Sequence, residues 1–249
     1  MDKYVEERMF LSNKSVAMVF DVETTGLLRW KNGTIPNLEL CPWVLQCSYI
    51  LYEVETRKII KTMNSYVKIS ADVNITPEST AVHGITREQC DTGRLMQDIL
   101  SEFYTDYHKY ATVLVAHNYK FDTTLLNIEL RRNWPLLKES CPFALNLFNP
   151  DYMKELNMAN ICTMESSINI CKIEFPVNGS SIYSGRTGSY KWPTLLELYR
   201  HLFNTTPEHL HDSMMDCLVC LRCLLKASGE YDMGEEEFAK IVSSEIISL

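Results

Sequence analysis

Two acidic residues follow a strongly apolar run near the start of the chain. The run covers residues 16–20, and Asp21 and Glu23 come directly after it. In a strand, residues two apart point to the same side, so both carboxylates would emerge together. Two such charges repel each other, and a hard divalent cation is the usual remedy. A solvated strand end with two incidental acids is the alternative interpretation of this pair.

Three further residues that could do chemistry lie much later in the sequence. Asp122 falls in the first turn of a predicted helix, where an acid also complements the positive helix start. His211 and Asp216 are five residues apart at the opening of another predicted helix. That pair could equally be a surface histidine and an acid that closes a capping box with Ser213. Each feature taken alone therefore allows a structural as well as a catalytic interpretation.

The elements that must position these side chains follow from apolar periodicity and turn signals. Residues 16–20 predict a buried central strand, which the Thr24-Thr25-Gly26 turn would close. Further strands are predicted at 43–52, 59–67 and 111–116, and a short strand or turn is predicted near 157–162. Helices are predicted from Thr76-Pro77 and at 93–110, 119–132, 194–203, 213–227 and 234–249. Irregular chain is expected at 135–152 and a mobile Gly- and Ser-rich loop at 177–190.

This order of elements predicts an α/β fold in which helices flank a mixed central sheet and the first strand is central. In open α/β sheets, ligands gather beyond the carboxyl ends of the central strands. Asp21, Glu23 and Asp122 all fall at such strand ends. We expect a single domain over residues 1–249, with a core at about 14–228 and a C-terminal helix at 234–249.

The motifs around these residues resemble those of a known enzyme family. Asp-x-Glu at 21–23, Asn-x-x-Phe-Asp at 118–122 and His-x-x-x-x-Asp at 211–216 are similar to the three exonuclease motifs of the DEDD superfamily. The likeness is to its histidine-bearing branch, which includes polymerase proofreading subunits, RNase T and oligoribonuclease. Phe-Asp-Val-Glu-Thr-Thr-Gly-Leu at 20–27, His-Gly-Ile-Thr at 83–86 and Ala-His-Asn-Tyr-Lys-Phe-Asp at 116–122 also resemble the family in order and spacing. The resemblance implies an RNase H-like exonuclease fold and 3′→5′ exonuclease activity.

The resemblance also implies a catalytic apparatus. His211 would be the general base that takes a proton from the attacking water, which suits the pKa of an imidazole. All-oxygen ligation favours two Mg²⁺ or Mn²⁺ ions as cofactors. The ligands of these ions would be Asp21, Glu23, Asp122 and Asp216.

Four positions match family residues that bind the substrate: Thr24, Leu27, His83 and Asn118. Thr24 would contact the 3′-hydroxyl, Leu27 would pack on the base, and His83 would lie beside the sugar or phosphate. Core packing is an equally good interpretation of Leu27. Gly84 inside an ordered segment indicates a backbone that needs unusual dihedrals or close approach. Arg186 and Lys191, with the tyrosines near them, could grip a single strand or belong to a solvated loop.

Composition limits the partners and the surroundings of the protein. A net charge of −8 tells against an extended duplex binder, because phosphate binding draws affinity from counterion release. It fits an enzyme that grips a few nucleotides at a free 3′ end. Apolar runs of only strand length and an acidic N-terminus predict a soluble, intracellular protein without a membrane span. Nine cysteines fit free thiols, and Cys217, Cys220 and Cys223 fit core packing better than a metal cluster.

Three functional hypotheses remain at this point. The leading one is the release of mononucleotides from single-stranded or frayed DNA ends by two-metal-ion hydrolysis. The second is an exoribonuclease that trims RNA or short oligonucleotides, a choice that a 2′-hydroxyl pocket would decide. The third is a catalytically idle, partner-binding member, against which the retention of all four acids and the histidine argues. Any polymerase partner would be a separate chain.

Overall fold

A five-stranded mixed sheet forms the centre of the computed structural model, which describes residues 11–12, 14–28, 37–175 and 190–246. Its strands are β1 (Val16–Thr24), β2 (Val44–Glu53), β3 (Lys58–Tyr66), β4 (Val113–Ala116) and β5 (Ala159–Cys162), in the order β3-β2-β1-β4-β5. β1 pairs antiparallel with β2 and parallel with β4. The predicted α/β class and the central position of the first strand are therefore confirmed.

Helices cover both faces of this sheet. In the described part of the chain they are α1 (Pro77–His83), α2 (Arg87–Asp91), α3 (Met96–Tyr110), α4 (Tyr119–Arg132), α5 (Trp134–Ser140), α6 (Pro150–Glu155), α7 (Thr163–Ser166), α8 (Ile168–Cys171), α9 (Leu195–Phe203), α10 (Ser213–Ser228) and α11 (Glu235–Ile246). Short 3-10 helices lie at Leu38–Leu40 and Pro142–Asn146. No helix in these described segments is long and apolar enough to cross a bilayer.

β1 separates two hydrophobic cores by the strand alternation that its sequence predicts. Met18 and Phe20 face the core built with α3 and α4, where the ring of Phe20 meets that of Phe103 edge-on at 5.6 Å. Ala17 and Val19 face the other core, which α9 and α10 complete. Because successive side chains in a strand point to opposite faces, the odd-numbered positions of β1 all lie toward α10.

α10 is buried almost all round and carries the cysteines of the second core. Cys217, Cys220 and Cys223 pack there among leucines and methionines, as the composition predicted. One charged residue lies in the same core. Arg222 donates to the carbonyl of Met233 at 3.2 Å and to the carboxylate of Glu235 at 2.9 Å, and thereby joins α11 to α10. Its guanidinium also lies over three aromatic rings: Tyr199, Phe203 and Phe238.

Several predicted boundaries are wrong for identifiable reasons. The stretch 135–152 is not irregular, because Pro135 and Pro150 stand in the first turns of α5 and α6, where proline is well accommodated. α2, α7 and α8 were not predicted, since helices this short carry no periodicity. β1 continues beyond the predicted residues 16–20 through both acids to Thr24, and the chain then bends at 25–26, where the turn was predicted. Of the predicted loop 177–190, only Tyr190 belongs to the described residues.

α3 begins three residues later than predicted. Gly93 lies against β3, where an added Cβ would come within 2.6 Å of the carbonyl oxygen of Tyr66. That close approach requires glycine and keeps the segment out of the helix. Leu95 becomes the N-cap and is 45% exposed, so it does not belong to the buried face formed by Ile99 and Phe103.

Candidate active site

Asp21 and Glu23 occupy the last part of β1 on the face that looks toward α10. They share this face with Ala17 and Val19, which pack in the α10 core. Val22 between them is buried in the opposite core. The pairing with β2 shifts register just after Glu23, as often happens beside functional sites. The common orientation that the Asp-x-Glu spacing predicted is therefore present.

The N-terminus of α10 places the histidine motif over the same face. His211 has φ 72°, a left-handed conformation that is uncommon for residues with a side chain. Asp212 is the helix cap, and its Oδ1 accepts two backbone N–H groups of the first turn at 3.1 and 3.0 Å. Oδ1 of Asp216 accepts the backbone N–H of His211 at 3.3 Å. The alternative in which Asp216 closes a capping box on Ser213 is therefore wrong.

Asp122 reaches the site from the opposite side of β1. β4 runs parallel to β1, so α4 starts at the sheet edge where β1 ends. Asp122 lies in the first turn of α4, as predicted, and is only 3% exposed. The backbone N–H of Val22, the residue between the other two acids, lies close enough to its carboxylate to lower its pKa in part. Asp122 therefore lies beside the end of β1.

These five residues converge where β1 and β4 end. One ligand atom each from Glu23, His211 and Asp216 can be chosen so that all three lie within 4.8 Å of one another. The charges of Asp122 and Asp216 act directly on Asp21, which completes the group. Residues up to 195 positions apart in sequence thus share one site. Among the described residues, no comparable cluster includes a cysteine.

Burial and mutual repulsion raise the pKa of every acid in this cluster. Desolvation is the largest cause in each case, and for Asp21 the charge of Asp122 comes next. The pKa rises to about 9 for Glu23, to about 8 for Asp122 and to about 7 for Asp216. The fully ionised cluster is therefore unfavourable by itself. Cations between the carboxylates would offset the repulsion, and hard oxygen donors suit ions such as Mg²⁺.

The structure places two of the predicted substrate residues, Thr24 and His83, beside this cluster. Thr24 directly follows the acids, and its Oγ1 donates to the carbonyl of Gly26 at 2.7 Å. Leu27 is 79% exposed, so core packing is the wrong interpretation for it. His83 lies near His211, and burial together with that neighbour lowers its pKa. Of the unusual dihedrals or close approach expected for Gly84, the structure shows the first, because its φ is 72° at the end of α1.

Asn118, also predicted to bind the substrate, caps α4 through its backbone and not through its side chain. Its carbonyl accepts the N–H groups of Phe121 and Asp122 at 2.8 and 3.2 Å, and its amide makes no cap bond. The preceding residue, His117, was not predicted to matter. Its ring nitrogens contact Oγ1 of Thr163 at 3.0 Å and the carbonyl of Pro193 at 3.1 Å. Burial lowers the pKa of His117 to about 4, so the neutral ring joins the start of α4 to the chain before α9.

Sequence reasoning also missed the polar residues that surround the acids. Asp212 contributes negative charge to Asp21 and Glu23, and Gln46 lies directly opposite Glu23 in the β1–β2 pairing. The available signal was the pair of polar residues Gln46 and Ser48, two apart in an otherwise apolar strand. In the loop at 177–190, Tyr183 and Arg186 lie outside the described residues. Lys191 is engaged by both carboxylate oxygens of Glu197 at 2.7 and 2.6 Å.

Comparison with known families identifies the class to which this arrangement belongs. The model of the exonuclease family RNase_T matches residues 18–224. The chain is a member of the exonuclease family. The match extends from β1 into α10 and so includes all five clustered residues. The exonuclease class that the motifs predicted is therefore confirmed.

Solved structures of nucleases resemble this exonuclease in fold. A 3′-exonuclease, described in 3′-end specific recognition of histone mRNA stem-loop, matches with TM-score 0.56 and 17% identity over 86% of this chain and 82% of its own. The zinc-bound complex of E. coli exonuclease I with single-stranded DNA matches with TM-score 0.58 and 15% identity over 92% of this chain and 43% of its own. Cell-death related nuclease 4 matches with TM-score 0.50 and 17% identity over 86% and 63%.

This chain thus spans less than half of exonuclease I. At such identities the likeness establishes the RNase H-like exonuclease fold. A search of curated protein sequences gives no significant match.

Proposed function

We propose that this exonuclease removes mononucleotides from the 3′ ends of single-stranded or frayed DNA with the help of two divalent ions, Mg²⁺ or Mn²⁺. The observation that carries the proposal is the convergence of Glu23, His211 and Asp216 within 4.8 Å, beside Asp21 and Asp122. The direction is supported by similar structures that are described as 3′-exonucleases. The single-domain organisation over residues 1–249 and any polymerase partner stay predictions.

The acids of the cluster fit a pair of hard cations. Asp21 would help to hold both ions, because the charges of three other acids of the cluster act on it. Glu23 and Asp216 would bind the ion nearer His211, and Asp122 would serve the other. Bound ions of this kind acidify a water molecule and neutralise charge that develops on the phosphodiester.

His211 would take the proton from the attacking water at a ring nitrogen. Its side chain is exposed, so both water and substrate can reach it. Glu23 and Asp216 lie close enough for their negative charge to stabilise the imidazolium that forms. The same histidine would then release that proton to solvent, which resets the site.

Thr24, Leu27, His83 and Asn118 would hold the terminal nucleotide. Leu27 presents an exposed apolar side chain beside a groove of about 930 Å³ that Leu40 and Trp43 also line. An apolar surface of this kind suits a nucleobase, since every base has an apolar face. A second candidate, an exoribonuclease, is favoured by the similar structure that concerns the histone mRNA stem-loop.

One assay tests the proposal and separates the two candidates. We would compare 5′-labelled single-stranded DNA, duplex DNA and RNA side by side, each with Mg²⁺, with Mn²⁺ and with EDTA. The expected result is a ladder of shortened single-stranded DNA that needs the metal and is lost in EDTA. Asp21→Asn and His211→Ala should each strongly reduce it while circular dichroism stays unchanged, and Glu139→Gln on the exposed face of α5 should not.

Cleavage that persists in EDTA would contradict the two-ion scheme. Undiminished activity of Asp21→Asn or His211→Ala would contradict the assigned roles. A ladder seen with RNA alone would favour the exoribonuclease.

A further inference from the structure

Polar side chains continue the acid cluster sideways across the sheet. In the β1–β2 pairing, Asp21 lies opposite Ser48 and Glu23 lies opposite Gln46; in β2–β3, Ser48 lies opposite Asn64. Directly paired residues share a sheet face, so this row lies on the same face as the acids. Gln46 and Ser48 are both 0% exposed. Buried polar groups at such positions need partners, and theirs identify what the row does.

The amide of Gln46 is bound at both ends to the segment that follows His211. Its Nε2 donates to Oδ2 of Asp212 at 2.8 Å and to Oδ1 of Asn64 at 3.0 Å. Its Oε1 accepts the backbone N–H of Ser213 at 3.2 Å. The amide therefore fixes two consecutive residues, a side chain in one and the backbone of the other.

Ser48 adds a third attachment to this turn. Its hydroxyl lies 2.6 Å from Oγ of Ser213 and donates to Oδ1 of Asn64 at 2.8 Å. The other oxygen of Asp212 caps α10, so its carboxylate is shared between helix and sheet. A network of buried groups bonded in this way is rigid, because each broken bond would leave a polar atom without water.

We propose that Gln46 is a positioning residue for the general base. By holding Asp212 and Ser213 against the sheet, its amide keeps His211 beside Glu23 and Asp216. The left-handed backbone of His211 is a conformation that persists only where the surroundings impose it, and these contacts impose it. The inference rests on the proposed role of His211 as base, and the experiment below separates the two.

Gln46→Met removes the three hydrogen bonds at nearly constant volume. A displacement of about 1 Å in a catalytic group costs up to about 100-fold in rate, so kcat should fall by about 10- to 100-fold. KM for a labelled oligonucleotide should change by less than about threefold, because Leu27 and Thr24 are untouched. The Mg²⁺ concentration for half-maximal rate should also stay constant, since all four acids remain.

A double-mutant cycle with His211→Ala tests whether Gln46 acts through the histidine. If it does, the double variant should be no slower than His211→Ala alone, because a missing base cannot be misplaced. The matched control is Tyr49→Phe. Tyr49 lies on β2 like Gln46 but faces the opposite side of the sheet, where its hydroxyl donates a buried hydrogen bond to Asp106. That control should leave kcat unchanged.

An exchange of functional groups guards against a folding defect in Gln46→Met. Gln46→Glu alone and Asp212→Asn alone each break the match of donor and acceptor at the 2.8 Å contact, so each should lose activity. The two together restore one donor facing one acceptor with the same total charge, and activity should largely return. Nδ2 of Asn64 is buried without a partner among the described residues, so turning this amide supplies a donor to the new carboxylate.

The possible outcomes are distinct. Three results would overturn the positioning role and leave the proposed function standing. They are activity losses of Gln46→Met and His211→Ala that multiply in the double variant, no recovery of activity in the exchanged pair, and full activity of Gln46→Met. A fully active His211→Ala would instead overturn the proposed role of the histidine.

Discussion

Replacement of Asp216 by asparagine should stabilise the metal-free protein even though it removes a proposed metal ligand. Burial first, and then the charge of Asp212, raise the pKa of Asp216 from 3.8 to about 7. An acid whose pKa is higher in the folded state favours folding while it is protonated. That contribution is complete below pH 3.8 and is lost as the pH rises through about 7. At pH 8 the ionised carboxylate therefore weakens the fold.

The size of the effect follows from two features of the site. The pKa displacement from 3.8 to about 7 corresponds to about 4 kcal/mol at full ionisation. Two like charges at 4.8 Å repel by about 3.5 kcal/mol at an effective dielectric constant of about 20. Asp216 is only partly buried, and halving these values for solvent screening leaves about 2 kcal/mol. For a chain of this size that is a rise of roughly 4–8 °C in Tm.

Thermal unfolding followed by circular dichroism in EDTA measures this gain. Asparagine keeps an oxygen that can accept the N–H of His211, so the local geometry should survive. We expect the higher Tm at pH 8, a much smaller difference at pH 4.5, and no change in the control Glu139→Gln. Added Mg²⁺ should raise the Tm of the unaltered protein more than that of the variant, because binding stabilises the state that binds. A variant no more stable at pH 8, or equally stabilised at both pH values, would refute the electrostatic reasoning.

Three further outcomes are expected. Leu27→Ala should raise KM for a single-stranded oligonucleotide by up to about tenfold with kcat nearly unchanged, because it removes an apolar contact with the bound base and leaves the core intact. An unchanged KM would show that Leu27 does not bind the substrate. Gly84→Ala should lower the free energy of unfolding by about 1 kcal/mol, since φ 72° disfavours a side chain although nothing lies within 4 Å of the added Cβ, and chemical denaturation would measure it. His117→Ala should cost about 2–3 kcal/mol by leaving the buried carbonyl of Pro193 without its partner, and a denaturation midpoint equal to that of the unaltered protein would contradict this.

The parts of the fold that sequence predicted are those that periodicity specifies locally. β1 has an uninterrupted apolar run, and the helix predicted at 119–132 has the bounds observed for α4. Thr76 caps α1 as predicted, whereas Thr194, predicted as the first residue of a helix, is the N-cap of α9. The one-turn helices α7 and α8 carry no such pattern, because four residues cannot define a period of 3.6.

The candidate site likewise has a part that local sequence patterns predict and a part that only the tertiary structure shows. The spacing of the acids and the histidine identified the residues that converge, because fixed offsets within a strand or helix fix the side on which a residue lies. The polar pair Gln46 and Ser48 marked β2 as unusual, but the role of Gln46 could not be predicted, since its partner Asp212 is 166 positions away and only the register of β2 places the two together. The role of a glutamine in a strand cannot be predicted until its neighbour on the adjacent strand is known.

The contacts by which Arg222 joins α11 to α10 determine how far the enzyme can be shortened. The family match ends at residue 224, ahead of α11, and would suggest a boundary there. A fragment cut at that point would keep Tyr199 and Phe203 beside the guanidinium but would lack Phe238, Met233 and Glu235. Arg222 would keep its hydrogen bond to Tyr199 but would lose its charge partner Glu235 and the carbonyl of Met233. A buried charge that loses its counter-charge destabilises a fold, and this one lies on the helix that carries Asp216. The smallest stable catalytic unit should therefore reach to residue 246.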